Sequence, residues 1–203
     1  MLKHVLLSVV FSVCGQVLFL PPTESMAQPL TLTVRHEDSQ IEFSIYKWAV
    51  FKEEGRFKDF EGTISFEPSN LAATTVELTI SAASIDSRND GRDKALRSKE
   101  FFHVTKYPTL EFKSVRAIII DNTTFEIEGD LTIRGVTKRI TTPVKVLGVN
   151  KTSTELGTLV GFETTFVVNR EDFNIAEGWN VIGRDATIHL LIGAGSGPST
   201  ARR

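Results

Sequence analysis

Residues 124–133 read Thr-Phe-Glu-Ile-Glu-Gly-Asp-Leu-Thr-Ile, followed by Arg134-Gly135. Successive side chains of an extended chain point to opposite sides, so Phe125, Ile127, Leu131 and Ile133 share one face, and Glu126, Glu128, Asp130 and Thr132 the other. This alternation predicts a strand buried on one side and wetted on the other, the usual condition of an antiparallel sheet. The same pattern recurs in both directions. Ile41, Phe43 and Ile45 alternate with Glu42 and Ser44, and Val76, Leu78 and Ile80 with Glu77, Thr79 and Ser81. Phe112 lies between Glu111 and Lys113, and Phe166 follows Thr165. Phe162, Ile188 and Leu190 are placed inward on the last two runs.

Turn signals at Glu53-Glu54-Gly55, Pro68-Ser69-Asn70, Asp121-Asn122, Arg134-Gly135, Asn150-Lys151 and Gly178-Trp179-Asn180 divide the chain into about eight short strands. Short connections imply antiparallel neighbours, and eight strands is the number at which a sheet closes into a barrel just wide enough for side chains or one slender ligand. One helix is predicted over 92–99, with Asp90 as N-cap, Asp93 in an acidic first turn and Leu96 facing the barrel. A second short turn is expected near Asp172. Gly193 to Arg203 reads as a polar, glycine-rich, disordered tail.

The N-terminus differs in kind. Lys3 and His4 precede an apolar run of 16 residues, Val5 to Leu20, which ends at Pro21-Pro22 and leads to Ser25-Met26-Ala27. A bilayer span needs about 20 apolar residues, so 1–27 is read as a cleaved secretory signal peptide. Val13 stands where a lipoprotein signal needs a small residue before its cysteine, which argues against lipidation of Cys14. The domain is then 28–192, followed by the tail 193–203, in a periplasmic or secreted protein.

Cys14 is the sole cysteine of the chain and leaves with the signal. The mature protein therefore has no disulfide, thiolate metal site or cysteine nucleophile. A net charge of −2 gives no global electrostatic reason to bind nucleic acid or an anionic membrane surface, and leaves only a local basic patch open. Asp86 to Gly91 resembles a calcium loop, but Arg88 replaces an oxygen ligand and Arg97 stands where the bidentate glutamate belongs. His36, His103 and His189 are too dispersed to form a local zinc motif. No nucleophile elbow, phosphate loop or dinucleotide fingerprint occurs. Twelve of the 14 phenylalanines remain after removal of Phe11 and Phe19, and alternation alone leaves open whether they fill a solid core or line a cavity.

Several ordered stretches are familiar. They are Arg92-Asp93 with Leu96-Arg97-Ser98, Phe101-Phe102, Tyr107-Pro108, Phe112 and Ser114; Ser39 to Phe43; Gly55-Arg56-Phe57 through Phe60-Glu61-Gly62; Gly129 to Lys138; and Arg170 to Phe173. On these the chain, from about Leu32 to Ile192, resembles the YceI-like family of secreted, lipocalin-like, polyisoprenoid-binding proteins. Asp38, Ala95 and Asn174 depart from the family pattern, the first two replacing histidines and the third a glycine.

The resemblance implies an all-β fold: an eight-stranded antiparallel lipocalin-like barrel with one or two short helices and a hydrophobic interior tunnel for an isoprenoid chain. Its apolar wall would comprise Phe43, Val76, Leu78, Ile80 and Leu96 in the first half of the chain. Phe112, Phe125, Ile127, Leu131, Phe162, Phe166, Ile188 and Leu190 would complete it. Arg92, Asp93 and Arg97 would form a polar rim or anchor the helix. The chain is thus expected to carry a polyprenyl or quinone lipid without catalysis, cofactor or metal. Its expected partners are that lipid, no nucleic acid, no stably inserted membrane segment after signal cleavage and, as an open option, a second copy in a homodimer. The rivals are an interaction scaffold, or an enzyme acting on a lipid headgroup at the barrel mouth.

Overall fold

The computed structural model describes residues 28–151, 157–178 and 181–197. The expected signal peptide and residues 198–203 lie outside them. The described strands are β1 (Leu30–Val34), β2 (Gln40–Lys47), β3 (Phe51–Phe57), β4 (Phe60–Phe66), β5 (Thr75–Ser81) and β6 (Ile85–Asp86). After the helix α1 (Asp90–Arg97) come β7 (Thr109–Ile119), β8 (Thr124–Ile133), β9 (Val136–Lys151), β10 (Thr158–Asn169) and β11 (Ile182–Gly195).

These eleven segments make eight walls. β1 and β2 both lie antiparallel along one edge of β11, so together they form one strand broken at the 3-10 turn His36–Asp38. β4 pairs with β1 and β3 with β2, forming a second wall broken at Lys58 and Asp59. β5 pairs with β4 and β6 with β3, forming a third broken at Ala82–Ser84. From β7 onward each strand pairs with the next, and β11 returns to β1 and β2. The result is the expected closed up-and-down barrel of eight antiparallel strands.

Because the walls alternate in direction, the β2–β3 turn, α1, the β8–β9 turn and residues 170–178 gather at one end, here called the mouth. The start of β1, segment 67–74 and the β7–β8 turn form the floor, where the Phe66 and Phe162 rings meet edge to face at 5.2 Å and Phe125 is fully buried. Outward side chains form charge ladders, as where Glu128 takes Arg116 at 2.6 Å and Arg139 at 2.9 Å.

Three expectations are corrected. Glu53-Glu54-Gly55 is no turn but lies within β3, and the chain reverses earlier, at Trp48 to Val50. The helix starts two residues before its expected position and ends two before; its N-cap is Asn89, whose side chain accepts a hydrogen bond from the Arg92 N–H at 2.9 Å, while Asp90 is the first helical residue. The tail begins later than expected, because residues 193–195 belong to β11: Gly193 pairs with β10, and Ala194 and Gly195 with both β10 and β1. A ladder uses backbone groups alone, so a glycine-rich segment can join it without any alternation to announce it. The turn near Asp172 is a 3-10 turn, Arg170–Phe173, closed by Asn174 in the left-handed region, where asparagine substitutes well for glycine. Among the described residues no helix is long and apolar enough to cross a membrane.

Candidate ligand-binding site

The barrel encloses an inner cavity of about 140 Å³, lined chiefly by aliphatic and aromatic side chains from all eight walls. Of the thirteen expected wall residues, twelve line it. Phe43, Val76, Leu78 and Ile80 come from the early strands, Phe112, Phe125, Ile127 and Leu131 from β7 and β8, and Phe162, Phe166, Ile188 and Leu190 from β10 and β11. Leu96 is placed elsewhere, in a second cavity of about 400 Å³ between the barrel mouth and α1. This vestibule also takes in Ile45, Phe101, Phe102 and Ile182, and it meets the inner cavity at Phe43.

Two glycines shape the lumen. A Cβ on Gly55 would come within 2.4 Å of Phe43 Cζ, and one on Gly129 within 2.4 Å of Phe112 Cζ. Each ring thus occupies the space that a side chain on the neighbouring strand would otherwise fill. Phe57 stands at 5.8 Å from Phe43 and packs edge to face on Phe102 at 5.9 Å, which closes a tier of aromatic rings between cavity and vestibule.

The three residues expected at the rim all hold α1 in place. Asp93 is buried and accepts hydrogen bonds from the Ser87 N–H at 2.8 Å and from the Ser87 hydroxyl. Arg92 donates from Nε to the Ser87 hydroxyl and from a terminal nitrogen to the Ser87 carbonyl, both at 2.9 Å, and pairs with Glu53 across the vestibule. Arg97 donates to the carbonyls of Ala83 at 2.8 Å and Ile85 at 2.5 Å. With these partners the trio fastens the helix over the mouth; of the three, Arg92 alone also lines the vestibule.

Arg170 was missed as a site residue. It is buried and donates to the carbonyls of Ile175, Glu177, Ile182 and Gly183 at 2.5 to 3.0 Å. Burial pulls its pKa below the usual arginine value, yet guanidinium stays charged in proteins. Its sequence signal was its place at the head of the Arg170 to Phe173 stretch, which carries the family resemblance without assigning the arginine a role. Val144 and Ile192 also line the inner cavity and were not singled out; Ile133, read on the same face as Leu131, joins them. Among the described residues no cluster of histidine and carboxylate side chains is arranged to hold a metal.

A model of the YceI-like domain matches residues 32–194. Protein YceI of Shigella flexneri is 40% identical over 130 residues, 64% of this chain and 65% of that protein, so the chain spans just under two thirds of its relative's length. The crystal structure of the Campylobacter jejuni YCEI protein shares 31% identity with a TM-score of 0.63, covering 70% of this chain and 83% of that one. A polyisoprenoid binding domain from Saccharophagus degradans shares the fold, with a TM-score of 0.66 over 83% of this chain and 99% of that one at 15% identity.

Proposed function

Since the chain belongs to the family of YceI-like domains, we propose that its barrel binds a long-chain isoprenoid lipid, polyprenyl or quinone, and carries it without chemical change. The observation that carries this reading is the inner cavity: an apolar lumen, in a barrel where the sequence equally allowed a solid core. The shared fold with a domain that binds polyisoprenoids supports the choice of ligand. Burial of apolar carbon contributes about 0.8 kcal/mol per methylene, so a few five-carbon isoprene units exceed the cost of ordering them. Phe43, Phe112, Phe166, Ile188 and Leu190 would grip the chain on the mouth side, with Phe125 and Phe162 against its far end. Leu96 would contact it in the vestibule.

The apolar run Val5–Leu20 and the small residues at Ser25 to Ala27 support export, so we place the carrier outside the cytoplasm. Native mass spectrometry with solvent extraction tests the reading. The purified protein should release an isoprenoid lipid at close to one per chain. Protein that repeatedly carries none, and that fails to take up an added polyprenol, would sink it.

A further inference from the structure

Four large apolar side chains crowd the tip of the β2–β3 hairpin: Tyr46, Trp48, Val50 and Phe51 are 51%, 58%, 71% and 59% exposed. Trp48 and Phe51 stand edge to face at 6.2 Å, and Lys47 Nζ lies 4.4 Å from the Trp48 ring centroid. The tip is built at a conformational cost. Trp48 and Ala49 have φ of 51° and 57°, and the Val50 N–H donates to the Lys47 carbonyl at 3.2 Å. Two successive left-handed residues are the natural place for Asn-Gly, and a Cβ at either is penalised. The chain thus holds an exposed indole where a polar, unstrained turn would serve the fold better.

Location and charge indicate what meets the tip. Ile45 and Lys47 line the vestibule, and the Trp48 backbone N–H donates to the Val181 carbonyl at 2.7 Å, so the tip stands beside the barrel mouth. Residues 46–51 carry Lys47 and no carboxylate, and just behind them Lys52 is paired with Glu54 at 2.7 Å, so Lys47 supplies the tip's positive charge. Tryptophan, tyrosine and lysine are the side chains that settle at a membrane–water boundary, with apolar bodies and polar ends. A second copy is a poorer occupant, since four side chains on a convex turn fall far short of the roughly 800 Å² per partner of a stable interface.

We propose that the β2–β3 hairpin tip docks the barrel mouth on an anionic bilayer surface, so that the lipid passes between membrane and cavity without crossing water. This rests on the carrier reading above. The test is flotation with vesicles of phosphatidylcholine and phosphatidylglycerol, using wild type and variants in the same processed form by intact mass. Wild type should float with the vesicles, less so at high salt or without phosphatidylglycerol. Trp48→Asn/Ala49→Gly should lose at least tenfold in partitioning while its melting temperature is equal or higher and its lipid content per mole is unchanged. Phe51→Ser should lose partitioning as well, and Ile118→Ser, an exposed apolar residue near the floor, should not. Equal flotation of the turn variant, or an equal loss in Ile118→Ser, would overturn the proposal. So would a wild-type dimer in sedimentation that the turn variant dissociates, which would make the tip a contact between copies. A wild type that floats but carries no isoprenoid would instead remove the carrier reading and leave the docking surface standing.

Discussion

Substituting alanine for Gly55 should weaken the barrel's hold on its lipid with little harm to the fold. The added Cβ would sit 2.4, 2.8 and 3.1 Å from three ring atoms of Phe43, against 3.4 Å or more for ordinary contact, so the ring must retreat by about 1 Å at its tip. All three crowded atoms belong to the side chain, and Phe57 stands at 5.8 Å on one flank, which leaves the lumen as the direction of escape. In the ligand-free barrel that swing costs about 1–3 kcal/mol of overpacking, offset by roughly 0.5–1 kcal/mol from removing a flexible glycine from a strand. With ligand bound, ring and lipid compete for the same space. At about 1.4 kcal/mol per decade, affinity should fall on the order of tenfold. Lipid per mole by extraction and mass spectrometry, alongside a thermal melt, reads both effects. Adding Phe43→Leu to Gly55→Ala should restore the lipid, because the smaller side chain no longer needs the glycine. Full lipid content in Gly55→Ala, or a loss that Phe43→Leu fails to repair, would refute the reasoning.

Asp93→Ala leaves the buried Ser87 N–H and hydroxyl without their shared acceptor, so the urea midpoint should drop by the equivalent of about 1–3 kcal/mol while bound lipid persists; an unchanged midpoint would show that α1 is held by other contacts. Hydrogen bonds from Arg139 first, and then Arg116, hold the Glu128 carboxyl below the usual carboxylate range. Its contribution to stability is complete above the unfolded-state pKa and is lost as pH falls through the lower folded value. Urea midpoints should therefore decline toward acid more steeply in wild type than in Glu128→Gln, with the gap narrowing in high salt; parallel curves would count against this pairing.

Strand period reveals which side chains share a face, and it placed Phe112, Phe125 and Phe166 inside. It is silent on how far opposite walls stand apart, so a filled core and an open lumen share one pattern. What separates them here is Gly55 and Gly129, each beneath a phenylalanine from the adjacent strand. The same glycine misled the turn reading, since Glu53-Glu54-Gly55 has turn composition but a strand location. At the helix start, Asn89 and Asp90 are both good caps, and composition cannot choose between neighbours. Arg170 escaped notice because it binds carbonyls, which every residue has, and so needs no complementary side chain in the sequence. Leu96 was turned toward the barrel, but it lines the vestibule with Phe101 and Phe102 and not the lumen, a placement that depends on tertiary packing alone.

The ring is closed by its most distant parts. Thr33 meets Gly195 and Val34 meets Ala194, and above them β2 pairs along β11 from Lys47 to Gln40. Just there the Ser39 hydroxyl donates to the Arg35 carbonyl at 2.6 Å and accepts from the Gly193 N–H at 3.0 Å. Every other wall joins its neighbour in the chain, so those pairings are local and form at small entropic cost, whereas closure requires nearly the whole polypeptide to be brought round. A chain synthesised from its N-terminus therefore holds the bare edge of β2, with Ile41 and Phe43 beside it, until the last residues arrive. During that interval the nascent molecule is an open sheet with two unpaired margins, the form in which β proteins are most prone to aggregate.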